Sequence, residues 1–492
     1  MSFELDNLEQ PFLEDQNKNA EPHDTFHDLD GPDFIKLASL PVSEKYTVEF
    51  RGEEIVVDSA NWRDSNLLKL QIIASYCNFI LFGLAEQTLG TLIPELQAHY
   101  KINDLKTGYV FLASVSGYFS MALLTEVCHR RLGVRGVVIM GTTSMTLGYL
   151  VLSTRPPFFV FILCYVLSGL GFGSLDAGLN GWMGNLVDLN QLLGILHGCY
   201  GIGCMISPPL ITHLVDRDVN PWSWNSYYLV LSCVAASCLL FFALVFRRET
   251  PAKYEFSVIL KETRRQLEDK NASDDETTSE SDSSSQAASL SQSLRSKLVW
   301  FFSIIMFVYV GAEVAFGAWM VTFLLRVKNL TYKMSSYMAT TFWTGLTAGR
   351  ICLGFVTAHY FSSELSANWV YIVVSLVGYG VFCMFAYTSA VGILFPVVFL
   401  TGLFVGPIFP TTIVAAIEIL PVKYHASGVG FICAFGGGGG AAIPFLIGLV
   451  AQTSERGLKF YPFIIIILFK LLLVAWLLLC VKFRTHKRRS AL

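Results

Sequence analysis

Apolar residues run along this chain in long blocks, broken by short polar stretches. Twelve such blocks stand at roughly 67–94, 106–128, 134–154, 157–181, 192–214, 226–246, 298–325, 335–357, 368–389, 391–419, 426–451 and 460–482. Each is near the ~20 residues that an α-helix needs to cross a bilayer. Lipid offers no hydrogen-bond partner to a crossing backbone, and blocks of this length suit helices. The pattern predicts an all-α membrane protein with twelve transmembrane helices in two six-helix bundles, 67–246 and 298–482. Residues 1–66 are polar and acidic and are expected to form a disordered cytosolic tail. Residues 247–297 divide the helices six and six and are expected to be a disordered cytosolic linker. Their Ser/Asp/Glu-rich run near Asn271–Ser285 is open to phosphorylation. Residues 483–492 form a basic tail.

Composition agrees. The chain is 53% hydrophobic and 15% charged, against the ~25% charge of soluble proteins. Mean hydropathy is +0.51. No positively charged stretch with an apolar core opens the chain, so no cleaved signal peptide is expected. The eleven cysteines lie in or at the ends of apolar blocks, and no CxxC occurs. Neither a disulfide framework nor a metal site is expected. No nucleophile elbow, phosphate loop or ATP-binding motif stands out, so neither an enzyme nor an ATP-driven pump is expected, and no cofactor. The net charge of −3 gives no reason to expect nucleic acid.

Lysine and arginine set the orientation. With both termini in the cytosol, the inner side holds His129-Arg130-Arg131 with Arg135, the basic ends of the linker and Lys482–Arg489. The outer side holds scattered cations such as Lys101, Arg155, Arg217 and Lys459. Arg326, Lys328 and Lys333 are the exception to this bias.

Some residues in the apolar blocks are too costly to be filler. The fourth block ends in Gly169-Leu170-Gly171-Phe172-Gly173-Ser174-Leu175-Asp176-Ala177-Gly178-Leu179-Asn180. A carboxylate inside a bilayer costs at least ~2.5 kcal/mol, and it is kept where it faces a watery cavity or a partner. Asp176 and Asn180 share a helix face, and Gly169 and Gly173 let a neighbouring backbone approach. The alternative is a packing motif with one satisfied polar residue. Glu86 in the first block poses the same choice, between a proton carrier and a neutral acid bonded to a carbonyl.

The halves echo each other. Gly83, Glu86 and Gly90 in the first block match Gly311, Glu313 and Gly317 in the seventh. Ser168-Gly169 with Gly173 matches Thr401-Gly402 with Gly406. Gly201, Gly203 and Pro208 match Gly437, Gly439 and Pro444. Three echoes in one order indicate duplication into parallel six-helix repeats.

In this order and these motifs, residues 67–482 resemble the major facilitator superfamily. Gly117–Arg135, ending in Arg130-Arg131-Leu132-Gly133-Val134-Arg135, resembles its loop motif between helices two and three. Arg130 stands where an aspartate is usual, with Glu126 nearby. Gly349-Arg350 through Gly354 resembles the copy in the second half. Glu86 with Asp176 and Asn180, and Phe409-Pro410-Thr411, resemble the fucose-permease-like sugar:proton symporters. The length and acidic tail are similar to the fungal bypass-of-stop-codon group.

The resemblance implies that helices one and four line a cavity, with Glu86 and Asp176 close together as proton carriers. Asn180, Gln87, Asn78 and His197 lie at similar depth and offer the donors and acceptors that hydroxylated ligands need. His197 serves equally well as a helix–helix hydrogen bond. Trp319, Trp343 and Phe409 can offer an apolar platform to a sugar. Glu313 either contacts substrate or balances Arg350. Arg350 and Glu418 form either a gate or a fixed structural pair, and Glu126 belongs with them as a gating or structural residue.

The resulting expectation is a secondary active transporter of a small polar solute, a sugar or related metabolite, coupled to protons. Its membrane is the plasma or vacuolar one. Membrane lipid surrounds it, and trafficking or kinase partners would act at the tail and linker. A transporter-like receptor or sensor, and a proton-independent facilitator, remain as alternatives.

Overall fold

The computed structural model describes residues 25–26, 45–217, 220–274, 290–421, 424–453 and 456–483. The first half contains α1 (Asn66–Tyr100), α2 (Asp104–Leu152), α3 (Phe158–Met183), α4 (Leu189–Val215) and α5 (Trp224–Val245). A linker helix, α6 (Pro251–Asp274), follows. The second half contains α7 (Lys297–Arg326), α8 (Tyr332–Tyr360), α9 (Glu364–Ala386), α10 (Leu394–Val405), α11 (Ile408–Ile419), α12 (His425–Gln452) and α13 (Tyr461–Lys482). Side-chain oxygens close several helix starts. Ser65 accepts from Leu68 N, Asn103 from Lys106 N and Thr331 from Met334 N.

The long helix α2 holds two of the expected crossings and breaks at Gly133, whose φ is 67°. Any side chain there would also overlap the backbone of Thr250 and Pro251. The block at 391–419 is split into α10 and α11 at Gly406-Pro407, because proline cannot donate to the preceding turn. Joining α10 to α11 and dividing α2 gives twelve crossing-length helices among the described residues. Ten stretches are long and apolar enough to cross a membrane by composition alone. The other two, the first part of α2 and the whole of α8, are diluted by serines, threonines, Asp104, Lys333 and Arg350. Both carry polar residues to the contact between the halves.

The glycine echoes are the same joint built twice. In the first half Gly83 of α1 lies on the backbone of Tyr200 and Gly203 in α4; in the second, Gly311 of α7 lies on Gly439 of α12. Likewise Gly169 of α3 lies on Ser114 of α2, and Gly402 of α10 on Phe342 of α8. An added methyl at any of these would overlap the facing chain, so small residues set the helix spacing.

Hydrogen bonds between the halves gather at the helix ends farthest from the linker. Leu105 N donates to Gln452 Oε1 at 3.1 Å, and Tyr332 Oη to Thr91 O at 2.8 Å. Thr212 Oγ1 donates to Ser336 Oγ. Arg326 pairs with Asp104 at 2.8 Å and also donates to Gln97. Lys328 is bound to the C-terminal carbonyls of α9, including Phe385 O at 2.9 Å. Two of the three cations that strain the charge bias are therefore engaged locally.

The other end of the molecule departs from expectation. Residues 45–66 and 251–274 were expected to lack structure, and here they are ordered. Strands β1 (Thr25–Phe26), β2 (Tyr46–Phe50) and β3 (Glu53–Val57) form one sheet in that order. The β2–β3 turn, Arg51-Gly52, has positive φ at both positions, as a tight hairpin requires. Tyr46, Val48 and Ile55 form a small separate core with Phe256 and Leu260 of α6. The partners lie two hundred residues apart, which hides the core from local pattern. Residues 1–24, 27–44, 275–289 and 484–492, which complete the expected tails and linker, lie outside the described residues.

Candidate functional site

The costly residues meet where the halves face each other. In the middle of α7 and α8, Arg350 Nη2 donates to Glu313 Oε1 at 2.7 Å. The Glu313 side chain is buried, at 5% exposure, and that of Arg350 is partly buried, at 15%. Tyr309, one turn before Glu313, lies against the pair and donates to Val405 O at 3.0 Å. From the first half, Glu86 of α1 stands in electrostatic reach of Glu313. Tyr200 and Cys204 of α4 feel Glu86, Glu313 and Arg350 together. One ion pair, Glu313–Arg350, and a second carboxylate, Glu86, thus lie within electrostatic reach of one another.

Several buried polar atoms there have no hydrogen-bond partner among the described residues. They are Glu313 Oε2, Arg350 Nε, Trp343 Nε1 and Thr347 Oγ1. Trp343, Thr347 and Arg350 are four and three residues apart on α8, so they form one stripe. That stripe faces the first half: the rings of Trp343 and Tyr200 are 6.3 Å apart, and Thr347 lies on Gly201. His197 of α4 sits between Phe79 of α1, at 5.5 Å, and Phe409 of α11, at 6.4 Å.

The sequence pattern of the Major Facilitator Superfamily matches residues 76–366. The chain is 34% identical over 441 residues to Bypass of stop codon protein 6 of Saccharomyces cerevisiae, covering 88% of this chain and 86% of that one. The chain belongs to the Major Facilitator Superfamily. It is also 24% identical over 385 residues to the glucose/mannose transporter GlcP of Bacillus subtilis, covering 78% of this chain and 88% of that one. Its fold matches the crystal structure of a D-xylose-proton symporter with a TM-score of 0.66 at 11% identity, over 84% of this chain and 97% of that one. It is an integral, multi-pass membrane protein, and the family is one of transporters, not enzymes.

Within this major facilitator fold the two acids of the first half keep different company. Asp176 accepts from Tyr118 Oη at 2.8 Å and from Asn180 Nδ2 at 2.7 Å, both part-buried. The glycine contacts of Gly169 and Gly173 bring α3 close enough to α2 for Tyr118 to reach it. Tyr118 also rests on Gly437, in the five-glycine run of α12. Glu86 lies instead within electrostatic reach of Glu313.

The remaining candidates divide. His197, Trp343 and Phe409 belong to the central group, while Asn78 and Gln87 are buried on α1, both amide atoms of Asn78 being without a hydrogen-bond partner among the described residues. Trp319 does not join them, because its indole is spent on Pro444 O at 2.9 Å inside the second half. Arg350 pairs with Glu313, and no contact to Glu418 is seen among the described residues. Glu418 is half-buried near the end of α11. The Glu126 side chain lies outside the described residues. Sequence reasoning missed Tyr118, Tyr200, Tyr309 and Thr347. The available signal was position: each lies near a joint glycine or one helical turn from a charged residue.

Proposed function

We propose that this protein is a secondary transporter of a small, neutral, polyhydroxylated solute, a sugar or a close relative, and that it couples transport to protons. The observation that carries the reading is the set of unpartnered polar atoms around Glu313 and Arg350. Buried polar groups need partners, and a hydroxylated solute supplies them. The set mixes donors (Arg350 Nε, Trp343 Nε1) with an acceptor (Glu313 Oε2) and a hydroxyl that can be either (Thr347 Oγ1). A hydroxyl both donates and accepts, so it can serve either kind. The kinship with a glucose/mannose transporter supports the same class.

Charge supports the coupling. Arg350 balances Glu313, and Glu86, within electrostatic reach of Glu313, adds a carboxylate that has no ion-pair partner among the described residues. One proton on the carboxylates balances it. Loaded with proton and neutral solute, the centre can pass from one face to the other without an unpaired charge. Asp176, with its own two donors, is assigned a secondary role. The hydrogen bonds at the far helix ends fit a carrier closed on that side, and rocking of the halves would open it. Uptake of labelled hexoses and polyols by proteoliposomes tests the reading. Uptake that rises with an imposed pH gradient supports it. Binding without any uptake would favour a receptor.

A further inference from the structure

We infer that a cavity between the start of α7 and the end of α13 binds an anionic phospholipid. The cavity encloses about 180 Å³ and is lined by Lys297, Leu298, Phe301, Leu478, Leu479 and Lys482. It lies on the face of the membrane that bears the linker, away from the central site. Its chemistry is divided. Two ammonium groups stand at its rim, and leucines and a phenylalanine form its walls. Among the described residues, neither lysine has an ion-pair partner, and Lys482 has only the Phe483 ring at 5.5 Å.

That division matches an anionic phospholipid and little else. Two lysines in one lining suit a phosphate headgroup, and a volume of about 180 Å³ admits a headgroup but not two acyl chains. The chains have a path. Leu471, Val474, Leu478 and Val481 are 55–76% exposed and form a continuous apolar face on α13 that starts at the cavity. Ile304, 52% exposed, continues the face of α7 that begins with Lys297 and Phe301. A free phosphate would satisfy the lysines but leave these faces unused. Basic pockets between crossing helices on the inner side bind acidic headgroups in this way, and each lysine near an acidic surface contributes measurably. With the termini in the cytosol, the cavity opens to the leaflet that holds such lipids.

Native mass spectrometry of the full chain tests the site, with phosphatidylserine or phosphatidylcholine added to the detergent. About a tenfold preference for phosphatidylserine is expected. The preference should vanish in the Lys297→Gln, Lys482→Gln double variant and survive in Lys297→Arg, Lys482→Arg, which keeps the charge. Excess inorganic phosphate should not compete. Equal retention of both lipids by the wild type would overturn the proposal, and so would a preference that the glutamine variants leave intact. Displacement by inorganic phosphate would show a small-anion site instead. If the glutamine pair does not fold, Lys482→Gln alone should lower the preference, and an unchanged ratio would refute the site.

Discussion

Glu313 Oε1 and Arg350 Nη2 lie 2.7 Å apart across the α7–α8 joint, and among the described residues of the first half no equivalent cation pairs with Glu86. The duplication therefore kept the acid in both halves and the guanidinium in one. Breaking a buried pair strands the surviving charge, at about 3–5 kcal/mol. Arg350→Gln and Glu313→Gln should each unfold at clearly lower temperature in detergent and lose solute binding. The double variant should recover much of the stability and none of the binding. Thermal unfolding with and without solute measures both. Full binding by the double variant would count against a substrate role for the pair.

Glu86→Gln removes the excess carboxylate and keeps its shape. Uptake driven by a pH gradient should collapse, while exchange of solute at equal concentrations, which needs no net proton movement, should persist. Asp176→Asn should instead weaken the α2–α3 joint by about 1.5–3 kcal/mol, the usual value of a hydrogen bond to a charged group. Its gradient-driven uptake should fall less than that of Glu86→Gln. Proton-driven uptake equal to wild type in Glu86→Gln would end the coupling proposal.

Asp104 and Arg326 join the halves at the end opposite the linker, with Arg326 40% exposed. An exposed pair of this kind adds at most about 1 kcal/mol to stability. Asp104→Asn should therefore leave the unfolding temperature nearly unchanged but shift the carrier toward opening on that side. Labelling of a cysteine placed at Thr347 by a membrane-impermeant reagent reports the shift. No gain in labelling from that side would show that the pair does not hold the closure.

Lys253 anchors the linker helix. It lies 2.8 Å from Glu249 and 3.8 Å from Asp58, beside the hairpin. Burial disfavours its ammonium, and Glu249 and Asp58 more than offset this, so its pKa is raised above 10.5. A raised lysine contributes its stability in full below the unfolded value, about 10.4, and loses it as pH climbs through the folded value. Protease resistance of residues 45–64 should hold to about pH 10 and then fall. Lys253→Met should be sensitive already at neutral pH. A variant as resistant as wild type throughout would remove Lys253 from the docking account.

The length and placing of the apolar blocks determined the helices and the division into halves, and the echoed glycines, acids and prolines indicated the duplication. Bilayer thickness sets helix length, and a crossing must be largely apolar, so these features are local and additive. The candidate acids were legible for the same reason, since a carboxylate in hydrocarbon is conspicuous. Their pairing was not. Glu86 came within reach of Glu313, and Asp176 bonded to Tyr118, because the glycine joints fix which faces turn inward. Sequence spacing says which residues share a face, not which face meets a partner. The hairpin with α6 shows the same limit. Tyr46 and Phe256 bury each other only after the membrane helices bring their ends together, and that contact belongs to the tertiary structure.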